Sequence, residues 1–145
     1  MIRRAEREDL QTLAELAVRL WEGHTVPELA EDFAGLMSQG AQFFLCYDSS
    51  MPVGFAQCQL RHDYVEGTSS SPVGYLEGIY VLEAFRKRGH GKALLTACQE
   101  WAAEQGCQEF ASDCELANSD SLAFHMAAGF TEANRIICFV KNLKK

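Results

Sequence analysis

Residues 75–106 constrain this chain more than any other stretch. "YLEGIYVL" (75–82) is a nearly continuous apolar run of strand length, broken only by Glu77 and Gly78. Soon after it, "RKRGHGK" (86–92) sets three basic side chains in front of two glycines. From Gly91 the apolar set Ala93, Leu94, Ala97, Cys98, Trp101 and Ala102 draws a helix, with Gly106 as its stop. A buried strand, a basic loop of bare backbone and a long amphipathic helix require a sheet covered by helices. They also place a helix N-terminus, with its unpaired N–H groups, where a polyanion can sit.

The flanking segments extend the same architecture. Leu10, Leu13, Leu16 and Leu20 recur at helical spacing after Asp9 and predict a first helix ending near Trp21. Pro27 in a first turn introduces a second helix, with Leu29, Phe33, Leu36 and Met37 on one side and Gly40 at its end. "QFFLCY" (42–47) reads as a strand, "SSMP" as a turn, and "FAQCQLRHDYV" (55–65) alternates as an antiparallel strand. "EGTSSSP" (66–72) is loop, and "QEFASD" (108–113) a short strand. Asn118 or Ser119 caps a helix through Met126 that stops at Gly129, and "RIICFV" (135–140) reads as a last strand. The fold class is α/β, a mixed sheet with helices on it, and residues 1–145 read as one domain.

Composition narrows the chemistry. With 145 residues and 48% hydrophobic content, the chain can bury a real core. No run reaches the ~18 apolar residues needed to span a bilayer, and "MIRRAEREDL" has no apolar stretch behind its arginines. A cytoplasmic protein with no membrane partner is expected. Five of the six cysteines sit inside apolar patterns, which predicts buried, reduced thiols. No Cys-x-x-Cys pair exists and the four histidines are scattered, so no metal site is expected. A net charge of −7 argues against a nucleic-acid partner. The basic triplet Arg86, Lys87 and Arg88 is therefore a local exception.

Spacing excludes two phosphate loops. A P-loop requires Gly and Ser/Thr where this chain has Arg86 and Ala93, and a dinucleotide fingerprint requires a third Gly at Leu94. What remains is Arg86-x-x-Gly89-x-Gly91 between a strand and a long helix. This resembles the pyrophosphate loop of the GNAT superfamily of acetyl-CoA-dependent N-acetyltransferases. In that superfamily the preceding strand carries a bulge that splays a largely antiparallel sheet, and pantetheine lies against it as an extra strand. "LEGIYVL" with Gly78 fits such a strand, and "NSDSLAFHMAAGF" (118–130) resembles the superfamily's later Asn-helix-Gly-Phe stretch, with His125 where a Tyr is common. The resemblance implies acetyl-CoA as cosubstrate. It would be held by the strand at Ile79, Tyr80 and Val81, by the loop from Arg86, Lys87, Arg88, Gly89, His90 and Gly91 to Lys92, and by Asn118.

A more specific resemblance runs essentially end to end. "LW" (20–21), "RHDYVEGTSSSPVGYLEGIYVL" (61–82) and "EFASDCELAN" (109–118) are similar to bacterial aminoglycoside 6'-N-acetyltransferases. That resemblance implies that Trp21, Tyr64, Glu77 and Asp113 contact a small cationic aminoglycoside. It aligns Asn134 with a substrate contact that is usually acidic, although Glu132 is nearby. It also implies a homodimer, with exchange of C-terminal strands as one form.

The residues agree with that chemistry. Acetyl transfer needs a neutral amine, so an ammonium must lose a proton to a carboxylate or to water that it holds. Glu77 is the only residue of its apolar strand that is charged at neutral pH. A backbone N–H near Ile79 to Val81 can bind the carbonyl as it becomes anionic, and direct attack needs no covalent enzyme intermediate. Asp113 either binds substrate or caps a strand end, and Trp21 is either core or pocket wall. Tyr64 either lines the pocket or ends a strand. His125 either protonates the departing thiolate or decorates a helix, while His24 and His62 read as surface or structural. Another small polyamine or a protein amine is the alternative acceptor, and a non-catalytic CoA-binding module is the rival class.

Overall fold

A computed structural model of the protein describes residues 1–144 and contains two compact units, Met1–Asp113 and a second from Cys114 onward. The first unit holds β1 (Ile2–Arg4), α1 (Leu10–Leu20), α2 (Val26–Ser38), β2 (Gln42–Asp48), β3 (Met51–Arg61), β4 (Val73–Val81), α3 (His90–Glu104) and β5 (Phe110–Ala111). The second holds α4 (Ser119–Ala127). The sheet order is β1-β2-β3-β4-β5, antiparallel throughout except for the parallel β4–β5 pair. The expected mixed, largely antiparallel sheet is thus present.

Strand alternation decides what each face buries. Phe43 and Leu45 of β2 and Phe55 of β3 point to one face, where they pack with Leu13, Leu16 and Ala17 of α1 and with Leu29 and Phe33 of α2. The intervening residues face α3: Cys46 reaches His90, and an ideal Cβ on Gly54 would lie 3.3 Å from Leu94. Helices therefore cover both faces, as the sequence predicts. Thr25 caps α2 by accepting from the Glu28 N–H at 3.3 Å, with Pro27 in the first turn. Asp9 precedes α1 without bonding into it. Its carboxylate instead takes both ends of the Arg3 guanidinium, at 2.7 and 2.8 Å, and the Glu6 N–H, tying β1 to the start of α1.

Four details differ from the sequence expectation. β1 was not foreseen, because "IRR" has no alternation of its own and exists through its pairing with the edge of β2. β3 begins at Met51, so the turn is only Ser49–Ser50, and it ends at Arg61 rather than at residue 65. β5 is reduced to Phe110–Ala111. The strand expected at 135–140 is absent. Ile136, Ile137, Phe139 and Val140 are 67–98% exposed, and among the described residues no strand pairs with them. A continuous apolar segment becomes a strand only when a neighbour satisfies its backbone. For the same reason Cys138, expected to be buried, is exposed, whereas Cys46, Cys58 and Cys98 are buried as expected.

β4 positions the site. It pairs with β5 only at Gly74↔Phe110 and Tyr75↔Ala111, so beyond Tyr75 the two strands part and the edge of β4 from Leu76 to Val81 has no further strand among the described residues. That is the splayed sheet.

Candidate active site

The register between β3 and β4 slips once, and it slips at Glu77. Gln57 pairs with Gly78 and Cys58 with Leu76, which leaves Glu77 as the extra residue of a β-bulge. The bulge places Glu77 and Gly78 on the same face as Tyr75, the face that carries α1. Gly78 is required there for space: a Cβ would lie 2.6 Å from the Trp21 ring. Trp21, at the C-terminal cap of α1, makes edge contacts with Phe33 and Phe55 at 6.1 and 5.9 Å. The half-buried indole packs against the core and also lies against the residue next to Glu77.

Glu77 is not alone. Arg61, at the end of β3, donates from Nε to Glu77 Oε2 at 3.0 Å and from Nη2 to Oε1 at 2.8 Å. Its guanidinium carbon stands 3.5 Å from the centre of the Tyr75 ring. The Tyr75 hydroxyl in turn donates to Asp113 Oδ2. Burial, and then the Asp113 carboxylate, push the Tyr75 phenol well above its ordinary value, so it stays a hydrogen-bond donor. The hydrogen bond to Glu77 raises Arg61 likewise. Asp113, Tyr75, Arg61 and Glu77 thus form one connected row. Arg61 and Tyr75 were missed as site residues because each reads as ordinary strand alternation. The available signal for Tyr75 was its place two residues before Glu77 in one strand, whereas Arg61 joins through the β3–β4 register.

Tyr64 projects from the 62–72 loop, 75% exposed, its hydroxyl accepting from the Gly67 N–H at 3.4 Å. Its neighbour Val65 is buried with Val73 and Tyr75, which anchors that loop beside the row. Glu109 holds the other end by accepting from the Ser70 hydroxyl and from the N–H groups of Ser69 and Ser70, the latter two at 2.9 Å, and these bonds, the hydroxyl's first, lower its carboxyl from the ordinary value.

β4 then leads into the basic loop. Arg86 turns back to donate from Nε to the Val81 carbonyl at 2.8 Å. Lys87 and Gly89 both adopt left-handed backbone, with φ of 63° and 87°, and Gly89 caps α3. A Cβ on Gly89 would meet nothing within 4 Å, so the conformation, and not packing within the chain, demands glycine there. His90 opens the helix with Nδ1 3.3 Å from Cys46 Sγ. Burial pushes the Cys46 thiol up, so it keeps its proton. Arg88 lies 3.8 Å from Asp48, and Lys92 is exposed. The arrangement is a cationic cradle at a helix N-terminus beside an open strand edge, and it fits a diphosphate with an extended arm.

A family model described as "Acetyltransferase (GNAT) family" matches residues 6–130. The chain belongs to that family. The aminoglycoside N(6')-acetyltransferase type 1 of Stenotrophomonas maltophilia is 43% identical over 140 residues, covering 95% of this chain and 90% of its own. The protein of the same name from Salmonella typhimurium strain LT2 is 40% identical over 141 residues, covering 97% of each. The structure of AAC(6')-Iy in complex with the bisubstrate analogue CoA-S-monomethyl-acetylneamine superimposes with a TM-score of 0.93. It is 38% identical, covering 98% of this chain and 97% of its own.

The second unit carries the rest of the GNAT pattern. Asn118 Oδ1 accepts from the Ser121 N–H at 3.1 Å and so caps α4. His125 lies one turn on, its Nδ1–H donating to the Ser121 carbonyl at 2.7 Å and its ring against Phe124 and Phe130. A carbonyl oxygen can only accept, which puts the neutral ring's proton on Nδ1. Asn134 Oδ1 accepts from the Arg135 N–H at 2.8 Å, while Glu132 pairs with Arg135. No group of three or more His, Cys, Asp or Glu among the described residues could hold a metal ion, and no helix among them is long and apolar enough to cross a membrane.

Proposed function

We propose that this protein transfers the acetyl group of acetyl-CoA to the 6'-amine of aminoglycosides by direct attack in a ternary complex, and that residues 1–145 act together as one acetyltransferase domain. The observation that carries the proposal is Glu77, displaced out of the β-ladder onto the open face of a splayed strand and set in a row with Asp113. The names and ligands of the similar proteins supply the substrate and cosubstrate.

In this reading Glu77 removes the proton from the substrate ammonium, directly or through water. Trp21, Tyr64, Asp113 and Asn134 bind the drug. The edge of β4 at Ile79, Tyr80 and Val81 pairs with the extended arm of acetyl-CoA and polarises the thioester carbonyl. The loop from Arg86 through Lys87, Arg88, Gly89, His90 and Gly91 to Lys92 takes the diphosphate, with Asn118 further along. His125 protonates the departing thiolate as the imidazolium, since its Nδ1–H is already engaged by Ser121. No nucleic acid, membrane or metal enters the reaction, and the place of action is the cytoplasm. A second copy completes the assembly as a homodimer, and the exposed apolar segment 136–140 is the part a partner strand would cover.

The test is product analysis. Kanamycin A and tobramycin, which carry a 6'-amine, are expected to release thiol from acetyl-CoA and to yield a 6'-N-acetyl product by NMR. A 6'-hydroxyl analogue is expected to bind and not react. Acetylation at another nitrogen, or turnover of the 6'-hydroxyl drug, overturns the regiochemistry.

A further inference from the structure

Two carboxylates, Glu77 and Asp113, make the acceptor site look like a doubly negative trap. The structure gives a different balance, because the Arg61 guanidinium lies in the same row. Both Glu77 oxygens receive a hydrogen bond from one planar fork, at 2.8 and 3.0 Å, so the carboxylate is held coplanar with it and its remaining lone pairs face away from Arg61. The fork is itself fixed from below by the Tyr75 ring, 3.5 Å under the guanidinium carbon. Tyr75 is only 6% exposed and is tied through its hydroxyl to Asp113. Glu77 is 18% exposed, which leaves its carboxylate partly open to a ligand. Arg61 offsets one of the two acidic charges.

We propose that Arg61 is a positioning and selectivity residue for the amine: it locks the Glu77 carboxylate in one orientation and leaves the acceptor site with one net negative charge in place of two. This rests on the active-site role given to Glu77 above. A lysine cannot take its place, because an ammonium lacks both the fork and the flat face. A site of one net charge selects the amine by geometry, with the drug's other ammonium groups held elsewhere.

The test compares Arg61→Gln, Arg61→Lys and Glu77→Gln with the wild type, using kanamycin A and acetyl-CoA at two salt concentrations. Arg61→Gln is expected to lower kcat by about 10–100-fold, since a misaligned reacting group costs that much. The KM for kanamycin A is expected to stay level or fall and to depend more steeply on salt, and the KM for acetyl-CoA to stay within a few-fold. Arg61→Lys is expected to restore the wild-type salt dependence but not kcat. A kcat for Arg61→Gln within threefold of wild type overturns the proposal, as does a parallel weakening of both substrates.

A measurement on the wild type covers the case in which the variants do not fold. The Arg61 Nε–H resonance is expected to stay protected from water exchange when kanamycin A is added. Faster exchange on binding would mean that the guanidinium leaves Glu77, and the proposal falls. If Glu77→Gln is as active as wild type, the fault lies with the active-site assignment. If only Arg61→Gln is, it lies here.

Discussion

At the scale of single residues, the site depends on one missing side chain and one displaced one. Gly78 lets Trp21 lie against β4, and the neighbouring bulge turns Glu77 onto the same face. A methyl group on Gly78 would come within 2.6 Å of the indole, so Gly78→Ala is expected to cost about 1–3 kcal/mol as overpacking. The displaced ring should show as a shifted tryptophan emission, with Trp101, a buried residue of α3, as the unchanged reference. Denaturant unfolding and a fluorescence spectrum check both, and unchanged emission would contradict this packing. For Glu77→Gln, turnover is expected to fall, most of all below neutral pH, where fewer substrate amines are already neutral. Asp113→Asn is expected to weaken drug binding, which calorimetry reads directly.

At the scale of elements, the informative unit is β4, its loop and α3. Its basic start and glycines were legible in the sequence because a helix N-terminus and left-handed backbone both have compositional signatures. Gly89 at φ 87° is the clearest case. A valine there is strained by about 1–2 kcal/mol, enough to raise the KM for acetyl-CoA roughly tenfold if the loop shifts. Drug binding to the protein without acetyl-CoA should stay within a few-fold by calorimetry. Loss of the drug site with acetyl-CoA binding intact would reverse the assignment of this loop. The strand expected at 135–140 shows the opposite limit. Its short apolar run is a real strand pattern, but pairing is a property of neighbours.

For the whole molecule, two features set stability and assembly. Asp9 is 8% exposed and doubly bonded to Arg3, and the Arg3 hydrogen bond holds its carboxyl below the ordinary value of 3.8. A carboxyl lowered on folding stabilises the folded state above its unfolded value, and that stabilisation is lost as pH falls through the folded one. The Arg3–Asp9 contribution is therefore expected to be full near neutrality and to fade below about pH 4. Asp9→Asn should cost about 1–3 kcal/mol at pH 7 and flatten that acid limb in thermal melts. Assembly is the second feature. If the proposed homodimer forms, removing the chain from Arg135 onward, which takes away the exposed residues Ile136, Ile137, Phe139 and Val140, is expected to leave a monomer by light scattering. A truncated chain that still dimerises would place the interface elsewhere.

By itself the sequence determined the α/β class, the order of most elements, the basic glycine loop and the carboxylate of Glu77. Each of these is written in local periodicity, in backbone freedom, or in a charge where the pattern expects none. The tertiary structure alone decided that β1 forms on three residues, that Trp21 belongs to the core and lies against Gly78, and that Glu77 sits at the bulge itself. It also decided that Arg61 and Tyr75 complete the row to Asp113. These facts depend on the register between strands and on which face each residue takes after a slip of one position, and a chain read in one dimension does not carry that information.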